Sequence, residues 1–198
     1  MNETSQRLGE VIEASTTGFT AQCYELYDLP PLGSLVRTGD STNGLFAVVC
    51  HAVTEGLEPG RKPIARGKDE PDEESIFQSN PQLSKLLRSE FSTLVVGHRK
   101  GGRILQYLPP QPARIHSFVH ACTAEESKDF GRTFGFLNIL LNAKIETPAD
   151  ELIAATLRIM GASYADPRPF LIGAGKELAS LLGEDYGKLK AILERIKP

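Results

Sequence analysis

Short runs in which apolar and polar residues alternate fill the first fifty residues of the chain. Residues 8–14 and 19–25 alternate with a period of two, which indicates half-buried β-strands, and a turn containing Gly18 joins them into a hairpin. A proline- and glycine-rich segment at 30–33 precedes a third strand at 34–38. The turn at 39–44 then leads into residues 45–53, which are almost continuously apolar and therefore predict the central, most buried strand.

The strand pattern resumes at 91–98 and returns at 104–108. Gly101-Gly102, between these two runs, suits the positive φ angles of a tight hairpin. Prolines then end the second run, and residues 113–122 form a last alternating, extended segment. Together the runs predict a small closed antiparallel β-barrel of about six strands within residues 1–122.

Residues 56–90 interrupt this pattern with a different composition. Their first part is rich in turn residues, and the stretch at 68–75 is charged and mostly acidic, so the segment cannot bury a core of its own. Asn80-Pro81 has the form of a helix cap followed by proline, which predicts a short helix over 82–90. We interpret the segment as an exposed insertion, either a decoration or an arm that binds a partner, and the role of its acidic stretch stays open.

The remainder of the chain, residues 123–198, carries four helical patterns with start signals. Thr123 and Glu126 have the spacing of a capping box, which predicts a helix to about residue 141. Further helices are predicted over 147–160, 166–182 and 185–197. A barrel followed by a helical C-terminal region makes the predicted fold class α+β.

The order of strands and turns in the first quarter of the chain resembles the HAS-barrel, the module at the N-terminus of HerA-type ATPases and of rotary ATP synthase catalytic subunits. The matching segments are Gly9-Glu10-Val11-Ile12-Glu13-Ala14-Ser15, the Gly18-Phe19 turn exit, Leu32-Gly33-Ser34-Leu35-Val36 and the Ala47-Val48-Val49 strand. In those families neighbouring barrels form or support the collar of a ring. The resemblance therefore implies a protein that assembles with others.

The chain departs from those ATPases in lacking their nucleotide site. A phosphate-binding P-loop requires Gly-x-x-x-x-Gly-Lys-Ser/Thr. Gly175-Lys176 is the Gly-Lys pair of the helical region, but Phe170 stands at the first glycine position and Glu177 at the hydroxyl position, where a carboxylate would repel phosphate. The barrel-like part is thus predicted to occur without the ATPase motor, and no cofactor is expected.

The amino-acid composition limits the class of protein and its cellular location. With 198 residues, of which 40% are hydrophobic and 24% charged, the chain is typical of a globular protein. We find no apolar run that would span a membrane and no signal-peptide pattern, so a cytoplasmic protein without a membrane partner is expected. Three widely spaced cysteines predict reduced thiols, and a net charge of −3 gives no general attraction to nucleic acid.

Two local motifs carry possible chemistry. In a strand, residues 116, 118, 120 and 122 share one face, so that His116, His120 and Cys122 would converge as metal ligands. The turn containing Arg99, Lys100 and Arg103 is the concentrated basic patch of the sequence, and it would contact a nucleic-acid backbone or an acidic protein. The chain has no Gly-x-Ser-x-Gly elbow for nucleophilic catalysis.

Three hypotheses follow for the function. The leading one is a non-enzymatic interaction or assembly module that self-associates or serves as an adaptor or collar for a HerA-type ring ATPase. The second is an accessory protein that binds nucleic acid through the basic turn at 99–103. The third is a metal-dependent enzyme at His116, His120 and Cys122. Oligomeric state and partner identity are left open by the sequence.

Overall fold

The computed structural model describes residues 5–58, 60 and 62–196. Seven strands lie in this part of the chain: β1 (Arg7–Ala14), β2 (Gly18–Cys23), β3 (Leu35–Gly39), β4 (Asn43–Gly56), β5 (Leu87–Lys100), β6 (Arg103–Leu105) and β7 (Phe118–Ala121). The same part contains six α-helices: α1 (Glu73–Ser79), α2 (Ala124–Phe130), α3 (Phe136–Leu141), α4 (Ala149–Gly161), α5 (Arg168–Leu182) and α6 (Tyr186–Arg195). A 3₁₀ turn covers Pro81–Lys85.

Six of the strands close into a barrel. They follow one another in the order β1–β2–β5–β4–β3–β7, every pairing is antiparallel, and the β7–β1 pairing completes the circle. β6 lies outside this circle and pairs with the end of β5. The predicted α+β fold with a six-stranded antiparallel barrel is confirmed.

Strand β4 separates two apolar cores. Ala47 and Val49 point into the barrel, whereas Phe46, Val48 and Cys50 point outward into a second core that the helices complete. The almost unbroken apolar run at 45–53 is explained by this arrangement, because a strand that is covered on both faces has no solvent side to keep polar.

Helices α2 to α6 form a layer on the outside of β3, β4 and β5. Helix α4 is its centre and contacts α2, α3, α5 and α6. Its Leu152, Ile153 and Leu157 are fully buried, and burial of each such side chain contributes about 1.5–3 kcal/mol to folding. No helix in the described ranges combines the length and the apolar character that crossing a bilayer requires.

Gly33 lets the barrel approach α4 closely. Its φ is 87°, and a Cβ atom there would lie 2.5 Å from the backbone nitrogen of Thr156 and 2.8 Å from the Cβ of Ala155. Its N–H donates to the carbonyl of Val49 (2.9 Å), which fixes the turn on β4. Only glycine fits both the backbone conformation and the space at this position.

The predicted single helix from 123 to about 141 is wrong, because two helices occupy that stretch. α2 ends at Phe130, and α3 begins at Phe136. The side chain of Gln106 fills the gap: its Nε2 donates to the carbonyls of Phe130 (2.7 Å) and Thr133 (3.1 Å), and its Oε1 accepts from Phe136 N (3.2 Å). A residue from the barrel side therefore satisfies backbone groups at both helix ends.

The predicted helix over 82–90 is confirmed only at its start, where Pro81–Lys85 form a 3₁₀ helix with proline in its first turn; from Leu87 onward the chain is strand β5. β4 and β5 are 14 residues long, and their pairing continues to Gly56 opposite Leu87. The helix of the insertion is α1, which begins one residue after Asp72, whose carboxylate accepts from Ser75 N (2.8 Å). Pairing with β4 prevails over the helical pattern from residue 87 onward. The ends of β4 and β5 thus form an arm (residues 51–56 and 87–92). β2 still pairs with β5 at residues 90–92, so only residues 54–56 and 87–89 are two-stranded.

Candidate functional site

Two arginines and a histidine lie side by side on the outer face of the barrel. His120 on β7 is directly opposite Arg7 on β1 and Arg37 on β3. Their neighbours Val36 and Val119 point into the barrel, so these three side chains point outward. Adjacent strands lie about 4.8 Å apart, which brings the three side chains into contact range of one another.

Arg37 is held by helix α2. Its Nε lies 2.6 Å from Oε1 of Glu126, and the other carboxylate oxygen accepts from the backbone N–H of Thr123 (3.0 Å). Thr123 Oγ1 in turn accepts from Glu126 N (3.2 Å), so the predicted capping box is confirmed. The carboxylate of Glu126 therefore caps the start of α2 with one oxygen and forms an ion pair with Arg37 through the other.

Arg99 extends this row across two more strands. Arg37 lies opposite Phe46 on β4, and the guanidinium of Arg99 on β5 lies 5.2 Å from the centre of the Phe46 ring. Arg7, at the other end, stands 4.1 Å above the ring of Phe118, which is 45% exposed. We call Arg7, Arg37 and Arg99 the arginine row. The guanidinium groups of Arg7 and Arg99, at the two ends of the row, each lie over the face of an aromatic ring.

The row makes its central histidine hard to protonate. Burial, followed by the charges of Arg37 and Arg7, lowers the pKa of His120 below its ordinary value, and Glu126 only partly opposes this. The imidazole is therefore neutral at neutral pH. Among the residues that the structure describes, neither Arg7 nor Arg99 forms an ion pair with a carboxylate.

The predicted basic turn divides into two parts. Gly101 and Gly102 have φ angles of 58° and 79°, as the tight hairpin requires. Lys100 and Arg103 are exposed at its tip. Arg99 instead leans toward Phe46 of β4 and toward the turn between β3 and β4, where its Nη1 is 3.5 Å from the Ser41 carbonyl oxygen. The sequence grouped Arg99 with Lys100 and Arg103 but did not indicate Arg7 and Arg37, which only the strand register brings alongside it.

The structure does not bring the predicted metal ligands together. β7 begins at Phe118, so the alternation that was expected to align His116 with His120 does not extend to residue 116. His116 has a φ of 64°, is exposed and faces Glu10, with 3.4 Å between Nδ1 and Oε1. Burial raises the pKa of the Cys122 thiol, which keeps it protonated. Within the described ranges, no three histidine, cysteine or acidic side chains are grouped as metal ligands.

A second candidate surface lies at the end of the arm. There a cavity of about 250 Å³ opens between the two strand ends and the insertion. Its lining exposes three large apolar side chains, with Leu57 at 43%, Ile64 at 74% and Leu86 at 49% exposure. Among the described residues, the charged ones of its lining are Lys62, Arg66 and Glu58, so cations exceed acids there by one. We call this cavity the arm groove; the sequence indicated an exposed insertion here but gave no sign of the groove, because its apolar residues are scattered over 30 positions.

The arm also carries an open strand edge. On the side of β4 that faces β3, the last backbone bonds are made by Val49, which donates to Ser34 O (3.0 Å) and accepts from Gly33 N (2.9 Å). Beyond Cys50, no other strand of the described chain pairs with this side. Residues 51–56 therefore expose the alternate N–H and C=O groups that an antiparallel strand directs away from its partner.

Comparison of the chain with protein-family models and with curated proteins gives no match. The function must therefore be argued from the fold and from these two surfaces.

Proposed function

We propose that this protein is a non-enzymatic interaction module that binds a protein partner through the arm groove. The observation that carries the proposal is the group of exposed apolar side chains Leu57, Ile64 and Leu86 around one concave surface. Large apolar side chains that share a cavity at the surface are characteristic of binding sites, whereas single exposed ones are ordinary.

The chemistry of the groove defines the segment that fits it. An apolar floor requires apolar side chains from the partner, and Lys62 and Arg66 favour acidic residues beside them. The neighbouring edge at 51–56 offers backbone donors and acceptors to an added strand. These features favour an extended, acidic segment with apolar anchors as the occupant.

The resemblance to the HAS-barrel supports a partner of one class. In the families that the first quarter of the chain resembles, barrels form or support the collar of a ring ATPase. Gly175-Lys176 lies inside the continuous helix α5 and not in a phosphate-binding loop. A barrel of this kind without its own motor suits an adaptor, and we propose a HerA-type ring ATPase in the cytoplasm as its partner.

Neither Cys23 nor Cys50 is set up to act as a nucleophile, which agrees with a non-enzymatic role. Cys50 donates its thiol hydrogen to Ser92 O (3.3 Å), and burial raises the pKa of its thiol. The imidazole of His98 donates from Nδ1 to the Tyr107 carbonyl oxygen (3.2 Å). Burial also raises the pKa of Cys23, to about 11, so its thiolate is scarce at neutral pH.

The test is affinity retention from a native cell extract followed by quantitative mass spectrometry. We expect a ring ATPase to be retained at a stable ratio, and retention to fall about tenfold or more in the double variant Ile64→Asp/Leu86→Asp. Ile172→Asp is the matched control, because Ile172 is 58% exposed on α5, away from the arm. Retention of no ring ATPase, or equal retention by the groove variant, would contradict the proposal.

A further inference from the structure

On the described outer face of the barrel, two arginines have no carboxylate partner, whereas the acidic side chains near them are already engaged. Arg7 and Arg99 form no ion pair with any carboxylate of the described chain. Glu126, in contrast, pairs with Arg37 and caps α2, and Glu10 faces His116. The positive end groups of the row thus remain open to an anion from outside the molecule.

The flanking groups do not supply that anion. Asp40, in the turn beside the basic hairpin, accepts from the backbone N–H groups of Asn43 (2.7 Å) and Thr42 (2.6 Å), and these bonds lower its pKa. Along α2, the charges pair among themselves, Lys128 with Glu125 at 2.8 Å and Arg132 with Asp129 at 3.2 Å. Asp40 and the α2 acids therefore have their own donors.

The free cations follow the curved outer surface of the barrel. Arg7 on β1 and Arg99 on β5 are four strand spacings apart along the side of the closed barrel that passes through β7, β3 and β4, so the row traces a curved path of roughly 19 Å. Lys100 and Arg103 continue it at the exposed hairpin tip. A curved row of this length exceeds a single phosphate or carboxylate and suits a flexible chain of negative charges that follows the barrel surface.

Phe118 supplies the feature that distinguishes the class of polyanion. Its ring is 45% exposed at the Arg7 end of the row, with the Arg7 guanidinium 4.1 Å from its centre. An aromatic face beside arginines accepts an unpaired base, which an acidic peptide does not have. We propose that the arginine row binds the phosphate backbone of single-stranded nucleic acid.

Binding to a labelled oligothymidylate, measured by fluorescence anisotropy over a series of salt concentrations, tests this site. With four free cations (Arg7, Arg99, Lys100 and Arg103), the plot of log K against log salt is expected to have a slope of about −3. The double variant Arg7→Ala/Arg99→Ala should weaken binding and reduce the slope to about half. Lys176→Ala/Lys190→Ala removes the same charge from α5 and α6 and should leave both quantities unchanged.

Two further variants separate binding from folding and from the arm groove. Lys100→Ala/Arg103→Ala changes only exposed tip residues and should reduce the slope by a similar amount. The groove variant Ile64→Asp/Leu86→Asp should bind the oligonucleotide as the wild type does. A phosphate strand beside His120 should also raise the pKa of that histidine, which NMR titration of its imidazole measures directly.

The proposal is overturned by any of three results. They are absence of binding at low salt, equal loss of binding in the α5/α6 control variant, and polyglutamate of the same charge competing as well as the oligonucleotide. The last result would assign the row to an acidic protein surface, since polyglutamate carries the charge but no bases.

Discussion

Replacement of Gln106 by alanine is expected to detach the start of the helical layer from the barrel. The Gln106 side chain makes three hydrogen bonds, to the carbonyls of Phe130 and Thr133 and from the N–H of Phe136. Each of these hydrogen bonds contributes about 1 kcal/mol net to stability. The backbone groups that they satisfy lie beside helix ends, where the helix itself offers no substitute partner for the lost side chain. We therefore expect a loss of about 2–3 kcal/mol in the free energy of unfolding, or a Tm roughly 4–12 °C lower.

The variant Gln106→Glu tests the amide donor separately from the oxygen acceptor. A glutamate keeps the acceptor for Phe136 N but replaces the amide donor with a carboxylate that faces the carbonyl oxygens of Phe130 and Thr133. At neutral pH it should therefore cost at least as much as alanine, and part of the loss should return when acid protonates it.

Urea unfolding followed by circular dichroism measures the free energy of each Gln106 variant, and hydrogen exchange reports on the Phe136 amide. In Gln106→Ala this amide should exchange faster even under conditions where the barrel stays folded. A loss below about 0.5 kcal/mol, together with unchanged exchange at Phe136, would refute the account of how the two helices are joined.

The remaining predictions concern packing and pH. Gly33→Ala should lower stability by roughly 2–4 kcal/mol in urea unfolding, because the new Cβ meets the backbone of α4, whereas Gly183→Ala, with φ 55° and open space, should cost about 1 kcal/mol. Equal losses of stability in the two variants would show that the positive φ angle alone sets the cost, and would contradict the role given to the contact between Gly33 and α4. Burial raises the pKa of Glu90 above 4.5 although Arg88 opposes it, so Glu90 favours folding below its ordinary pKa and loses that contribution as pH rises through the raised value. The wild type should therefore lose stability relative to Glu90→Gln as pH rises above 4.5; parallel pH profiles would contradict this.

Elements that depend on neighbouring residues follow from the sequence. The Thr123–Glu126 box sets the start of α2, and Asp185, which accepts from Lys188 N (3.1 Å), sets the start of α6. Gly183, with φ 55°, ends α5 where the pattern indicated. In each case the deciding hydrogen bond or backbone angle lies within four residues of the helix end, so a local pattern contains it.

Features of the fold that depend on residues distant in the chain could not be predicted from the sequence. The break between α2 and α3 rests on Gln106, which is 24 residues from Phe130 and 30 from Phe136. The early start of β5 rests on β4, across the whole insertion. The arginine row is of the same kind, because Arg7 and Arg37 become neighbours only through their shared pairing with His120.

The most direct test of the interaction-module proposal is site-specific photo-crosslinking from the arm groove in native cells. A photoreactive phenylalanine analogue at position 64, where Ile64 is 74% exposed, should crosslink to a ring ATPase, and the same analogue at Ile172 should not. If the ATPase copurifies with the protein but crosslinks equally from both positions or from neither, the arm groove is not its binding site. Crosslinking from position 64 alone is the result that the account predicts.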